Sequence, residues 1–208
     1  MSDKFVINVG RQLGSGGRQI GEKLASQFSI AFYDKELINL ASKESGLGKE
    51  FFENADEKKS HSIIGGLLGL RTNINNEVYV NNYLSNETFF KIQSDIIREL
   101  AEEKSCVFVG RCADYILRNH PRCINVFITA DTKDRSKRVA LDKKLTLEKA
   151  HEVIEKTDKK RSEYYNYFSN KVWGAAESYH LCINSSVLGI DETVAFIRRF
   201  IEQKLLIN

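Results

Sequence analysis

The sequence predicts an α/β fold, a five-stranded parallel sheet with helices on both faces. Three observations point to it. Short apolar runs alternate with helical patterns along the chain, a glycine-rich turn follows the first run, and 208 residues at 42% hydrophobic content suit one core with insertions. The expected organisation is a single domain over residues 1–208, with an insertion at 37–95 and a separate helical region at 143–170.

The strand candidates are Phe5 to Val9, Ile30 to Tyr33, Cys106 to Val109, Ile124 to Ile128 and Leu181 to Ile183. Each is three to five residues long, a short apolar run of the kind that buried strands leave. After the first strand, Gly10 to Ile20 lead into Glu22, Leu24 and Ala25 at helical spacing. The stretch from Glu44 to Leu84 is less regular, with Gly65-Gly66, Gly69 and several asparagines, and reads as an insertion. Phe89, Ile92, Ile96 and Leu100 then share a helical face after Asn86, a plausible N-cap; Val194, Ile197, Ile201 and Leu205 do the same after Asp191. Asp131 is placed to cap a charged helix through Val139, and Thr146 to cap another whose Leu147, Ala150 and Ile154 share a face. Pro121 is the single proline, so no proline-rich linker divides the chain.

Composition narrows the function classes. The longest uniformly apolar run, Ile63 to Leu70, is eight residues against the roughly 20 that span a bilayer, so no membrane segment is expected. Met1 to Lys4 lead straight into the first strand pattern without the regions of a secretory signal, and cytoplasmic residence is the expectation. Cys106, Cys112, Cys123 and Cys182 form no CxxC pair and read as free thiols. The net charge of +3 does not make nucleic acid the default partner. Between Asp131 and Arg161, however, eleven Lys or Arg stand against seven Asp or Glu, either a solvated face or a surface that meets phosphates.

The glycine-rich turn carries the first chemistry. Strand, glycine loop and helix are the context a phosphate cradle needs: glycines permit positive φ, backbone N–H groups converge on an anion, and the helix N-terminus adds partial positive charge. The candidate phosphate ligands are Arg11, Gly14, Ser15, Gly16, Gly17, Arg18 and Gln19. Set against the pattern GxxxxGK[ST], Gly14-Ser15-Gly16 match the glycine part, Gly17 falls at the lysine position and Arg11 at the first glycine position. Sliding the match by one puts Arg18 at the lysine position and Gln19 where Ser or Thr helps hold magnesium. In either alignment an arginine must supply the cation, and Arg18 at the start of the helix is the first candidate.

Other candidates fall at the carboxyl edge of the sheet, where ligands of open α/β folds bind. Tyr33 and Asp34 stand at the end of the second strand, and Gly110-Arg111-Cys112-Ala113-Asp114 follow the third. Arg111 either pairs with Asp114 or grips an acceptor phosphate. Thr157 to Phe168 place Asp158-Lys159-Lys160-Arg161 before clustered aromatics, which is either a solvated helix end, a core patch, or a lid whose cations close on a transferring group. His61, His120, His151 and His180 have no metal-ligand spacing, and no metal-binding residue is expected.

Taken together, Gly14-Ser15-Gly16-Gly17-Arg18, Phe32 to Leu37, Val109 to Asp114, Asp158 to Arg161 with Tyr164-Tyr165, and Trp173-Gly174 with Tyr179-His180-Leu181 resemble the cytidylate kinase-like family of P-loop nucleoside monophosphate kinases. The resemblance implies a P-loop kinase-like sheet, an inserted monophosphate-binding segment, a mobile lid, and ATP with Mg2+ as the phosphoryl donor. It implies a nucleoside monophosphate acceptor, CMP or dCMP first. In that scheme Arg18, Lys160 and Arg161 are catalytic, the loop residues bind ATP, and Tyr33, Asp34, Arg111 and Asp114 bind the acceptor. Three other readings stand beside it: a kinase of another small acceptor, a nucleotide-binding protein without catalysis, and a nucleic-acid module, which leaves the glycine loop without a purpose. Whether the chain forms a homo-oligomer cannot be read from it.

Overall fold

The structure is a computed structural model that describes residues 4–34 and 77–206, with side chains in the second segment from residue 87. The chain divides into two compact units, one of Met1–Lys35 with Arg98–Asn208 and the other of Glu36–Ile97. The expected insertion at 37–95 lies mostly outside the described residues.

Five strands, β1 (Val6–Arg11), β2 (Ala31–Tyr33), β3 (Cys106–Val109), β4 (Cys123–Thr129) and β5 (Leu181–Asn184), form one parallel sheet in the order β2-β3-β1-β4-β5. All five expected strands are present. β1 runs two residues further than its apolar pattern, because Gly10 and Arg11 stay in register with Phe127 and Ile128 of β4. The helices are α1 (Gly17–Gln27), α2 (Glu77–Glu103), α3 (Ala113–Ile116), α4 (Thr132–Lys143), α5 (Leu147–Ser169) and α6 (Ser185–Leu205), with a short 3-10 turn at Ala176–Ser178.

Alternation along the strands sorts the two faces. Ile7 and Val9 of β1, Val107 and Val109 of β3, and Ile124, Val126 and Ile128 of β4 pack with Ile20, Leu24 and Ala25 of α1 and with Val194, Ile197, Ile201 and Leu205 of α6. Each fully buried Ile or Leu there stabilises the fold by about 1.5–3 kcal/mol. The opposite face carries Asn8, Gly10, Asn125 and Phe127, which are polar, small or aromatic. A smaller cluster of Val139, Ala150 and Ile154 joins α4 to α5 and includes Leu13 of the glycine loop.

Two helix starts differ from the sequence expectation. Asn86 lies nine residues inside α2, which begins at Glu77, because nothing between them breaks a helix. Asp191 lies inside α6, whose N-cap is Asn184, the side chain accepting from the Ser186 N–H at 2.9 Å; a break at Gly189 (φ 74°, ψ 174°) separates the apolar stripe from the first turn. Thr146 caps α5 as expected, its side chain accepting from the Lys149 N–H. Asp131 precedes α4 as expected, but its carboxylate accepts from Asn184 Nδ2 at 2.8 Å rather than capping the helix.

Candidate functional site

β1 ends at Arg11, and the chain turns through Gly14 (φ 77°) and Gly16 (φ 79°) into α1. At Gly14 a Cβ would come within 2.7 Å of the Arg135 carbonyl oxygen, and at Gly16 it would strike Ile190, so both glycines are required by backbone conformation and by space. α1 begins at Gly17 without a side-chain cap, and the first N–H groups of a helix have no intrahelical acceptor. The loop has the geometry of an anion cradle.

The carbonyl side of the loop is occupied by the protein itself. Arg161 Nη1 donates to the Arg11 carbonyl at 3.1 Å, Arg135 Nε to that of Leu13 at 2.8 Å, Arg138 Nη1 to that of Gly14 at 3.0 Å, and Ser185 Oγ to that of Ser15 at 2.7 Å. The Ser15 hydroxyl donates to the Gln12 carbonyl at 2.8 Å, and the Ile20 N–H to that of Gly16 at 2.9 Å. Asp158 accepts from the Leu13 N–H at 2.8 Å and pairs with Arg135 and, at 3.7 Å, with Arg161. Part of the basic stretch between Asp131 and Arg161 is thus neither a solvated face nor a phosphate surface: Arg135, only 7% exposed, is a structural brace.

A cavity of about 340 Å³ opens at the carboxyl edge of β1 and β3. Arg11, Arg111, Lys160 and Arg161 bring four cations to it, Asp114 one carboxylate, and Tyr164, Tyr165, Trp173 and Tyr179 its aromatic walls. Gly110 (φ 82°), Arg111 (φ 61°) and Cys112 (φ 55°) are three successive residues in the left-handed region, a turn that costs roughly 1–3 kcal/mol per non-glycine residue. Its outcome is that the Arg111 guanidinium lies over the Tyr164 ring, 5.6 Å from the centroid. Gly10 makes room on the other side, since a Cβ there would stand 2.6 Å from the Phe127 ring. Phe127 in turn meets Trp173 edge-on at 5.2 Å and Tyr179 at 4.9 Å.

Burial sets the electrostatics. Asp114 accepts from the Tyr165 hydroxyl at 2.7 Å; burial raises its pKa above the usual carboxylate value, and that hydrogen bond opposes the rise. The Tyr165 phenol is pushed up by burial and then by the Asp114 charge, so it stays the donor. Burial pushes Tyr164 up to about 12, opposed by Arg111. Arg161 is lowered by burial, and the Asp158 carboxylate works against that shift.

Of the residues singled out from sequence, Arg11, Arg111, Asp114, Lys160 and Arg161 line the cavity, and Gly14, Ser15, Gly16 and Gly17 form the adjoining loop. Arg18, Gln19, Tyr33 and Asp34 are not among the lining residues. Arg18 Nε donates to Asp34 at 2.9 Å, its Nη1 pairs with Glu22 at 2.6 Å, and its guanidinium lies near the Phe32 ring. Gln19 is exposed on α1. Tyr33 stacks on Phe108 at 5.4 Å. Sequence reasoning missed Asn8 in the lining and the bracing by Arg135, Arg138 and Asp158, and it named Trp173 and Tyr179 only within the family resemblance, without a place in the site. A signal existed for Asn8, the one polar residue in an otherwise apolar first strand, now 3% exposed.

A phosphate-bearing nucleotide fits this loop. Among the described residues no three His, Cys, Asp or Glu side chains are grouped to hold a metal ion. With Gly17 at the lysine position, the hydroxyl position is Arg18, held by Asp34 and Glu22. Magnesium would therefore arrive on the nucleotide phosphates. Among the described residues, no helix is long and apolar enough to cross a membrane.

A family model described as the cytidylate kinase-like family matches residues 6–187. The crystal structure of an uncharacterized protein from Eubacterium ventriosum is 26% identical, with a TM-score of 0.72 over 96% of this chain and 99% of that one. Shikimate kinase from Bacteroides thetaiotaomicron (13% identical, TM-score 0.53, 98% and 99% covered) and shikimate kinase from Acinetobacter baumannii in complex with shikimate (16%, 0.52, 97% and 94%) share the fold. No curated protein matches the chain. The sheet and its helices are a kinase-like P-loop fold.

Proposed function

Because this chain belongs to the cytidylate kinase-like family, we propose that it transfers the γ-phosphoryl group of ATP to a nucleoside monophosphate, CMP or dCMP before others. One observation carries the reading: the cavity gathers four cations and four aromatic rings beside a glycine loop that leads into a helix N-terminus without a side-chain cap. An acceptor that already carries a phosphate dianion needs such cations more than it needs a general base.

In this reading the loop and its helix N-terminus hold the ATP phosphates, and Arg111, fixed over Tyr164, holds the acceptor phosphate. An acceptor phosphate oxygen attacks the γ-phosphorus, the bond to the β–γ bridging oxygen breaks, and ADP leaves with that electron pair. Lys160 and Arg161 stabilise charge on the moving group, and the tyrosines keep water from competing. Asp114, held by Tyr165, offers an acceptor to the nucleoside. Asp34 acts at one remove, by holding Arg18. Residence in the cytoplasm, where ATP and nucleoside monophosphates are available, is part of the proposal.

Gly17 at the lysine position favours a second reading, a nucleotide-binding protein without catalysis. Product formation from ATP and magnesium with CMP, dCMP, AMP, GMP and UMP, followed chromatographically, separates the two. Fastest turnover of CMP or dCMP is expected. ATP binding without turnover of any monophosphate would sink the proposal in favour of the second reading, and turnover of a different acceptor class would keep the kinase and discard the nucleotide acceptor.

A further inference from the structure

We propose that Arg11 is the phosphate-gripping cation of the loop, relocated from the lysine position to the first glycine position; this rests on the phosphotransfer reading above. The two departures from GxxxxGK[ST] are reciprocal: the cation stands where glycine is usual, and glycine stands where the cation is usual. The structure joins them in space. A Cβ on Gly17 would stand 2.9 Å from Arg11 Cγ and still closer to Arg11 Cβ, so the Arg11 stem lies across the position from which a lysine side chain would leave.

Gly17 needs no glycine for its own backbone. It is the first residue of α1 and is not among the positive-φ glycines, and glycine is a poor helix former. Room for the Arg11 stem is the reason for it. The guanidinium then passes over Gly110, where a Cβ would stand 2.9 Å from Arg11 Cζ and 3.2 Å from Nη2. Arg11 thereby lines the cavity beside Arg111 and Arg161. Arg161 also holds the Arg11 carbonyl at 3.1 Å, which fixes the strand end from which the side chain departs. Arg18, the candidate favoured by sequence, sits with Asp34 and Glu22, 61% exposed, and does not line the cavity. The ligand class is a polyphosphate held by a planar fork rather than an ammonium.

Calorimetric ATP binding by the full chain tests the assignment. Arg11→Met keeps the stem over Gly17 and removes the charge. Loss of a charge-assisted contact should weaken ATP binding about tenfold or more, and at least about five times more than Arg18→Ala does. A second variant pair reads the exchange directly. Gly17→Lys alone should weaken binding, because its stem meets Arg11, whereas Gly17→Lys with Arg11→Gly rebuilds the usual loop and should recover most of the affinity. Wild-type affinity in Arg11→Met, a larger loss in Arg18→Ala, or no recovery in the double variant would overturn the assignment alone. A wild-type chain that binds no ATP would overturn the phosphotransfer reading with it.

Discussion

Arg161 performs two tasks with one side chain, donating to the Arg11 carbonyl and facing the cavity within 3.7 Å of Asp158. If its charge matters most as the phosphoryl group moves, Arg161→Ala should lower kcat by roughly ten- to a hundredfold, on the order of 1.5–3 kcal/mol, and change the ATP dissociation constant little. Arg161→Lys should recover only part of the rate, since an ammonium lacks the fork. Equal losses in rate and affinity would make it a ground-state anchor. Sequence spacing brought Arg111 and Arg161 into view because a strand end or a cation cluster beside aromatics limits where a side chain goes. It left Arg135 in a stretch that reads either as a solvated face or as a phosphate surface, and Asp158 in the lid cluster without its partners. Helical spacing says which charged residues share a face, and only the docked loop, with Leu13 seated between those helices, says which of them turn inward.

Elements were legible where apolar runs were continuous and illegible where a helix outran its stripe. The strands read correctly because their apolar runs are interrupted only singly, by Asn8 in β1 and by Asn125 in β4. α2 and α6 begin earlier than their apolar stripes, so in the sequence a polar residue beside the stripe resembles a cap. In α6 the break at Gly189 has a specific energetic content. Its φ of 74° and ψ of 174° belong to glycine, yet a Cβ there would meet nothing within 4 Å. Gly189→Ala should therefore destabilise the fold through backbone conformation alone, by about 1–3 kcal/mol in chemical denaturation. Gly189→Ala with unchanged stability would mean that the two parts of α6 form a continuous helix.

At the scale of the molecule, the alternation of strands and helices predicted a parallel sheet but could not place β3 between β2 and β1, which depends on the packing of both faces at once. The same packing governs the thiols. Burial pushes Cys106, Cys112 and Cys123 each up to about 12, so at pH 8 only about one in ten thousand of each is thiolate, whereas Cys182 is exposed on the edge strand. An aromatic disulfide reagent should accordingly titrate one thiol in the native protein and four after denaturation, and two or more rapidly reacting native thiols would contradict the packing described. The glycine loop has a different kind of consequence. From Arg11 to Gly16 every backbone carbonyl already accepts a hydrogen bond from a side chain or an amide of the protein. The peptide units cannot reorient without breaking one of these, so the cradle is preorganised. An arriving anion would meet a receptor whose conformational entropy was surrendered on folding, and its affinity would be spared that cost.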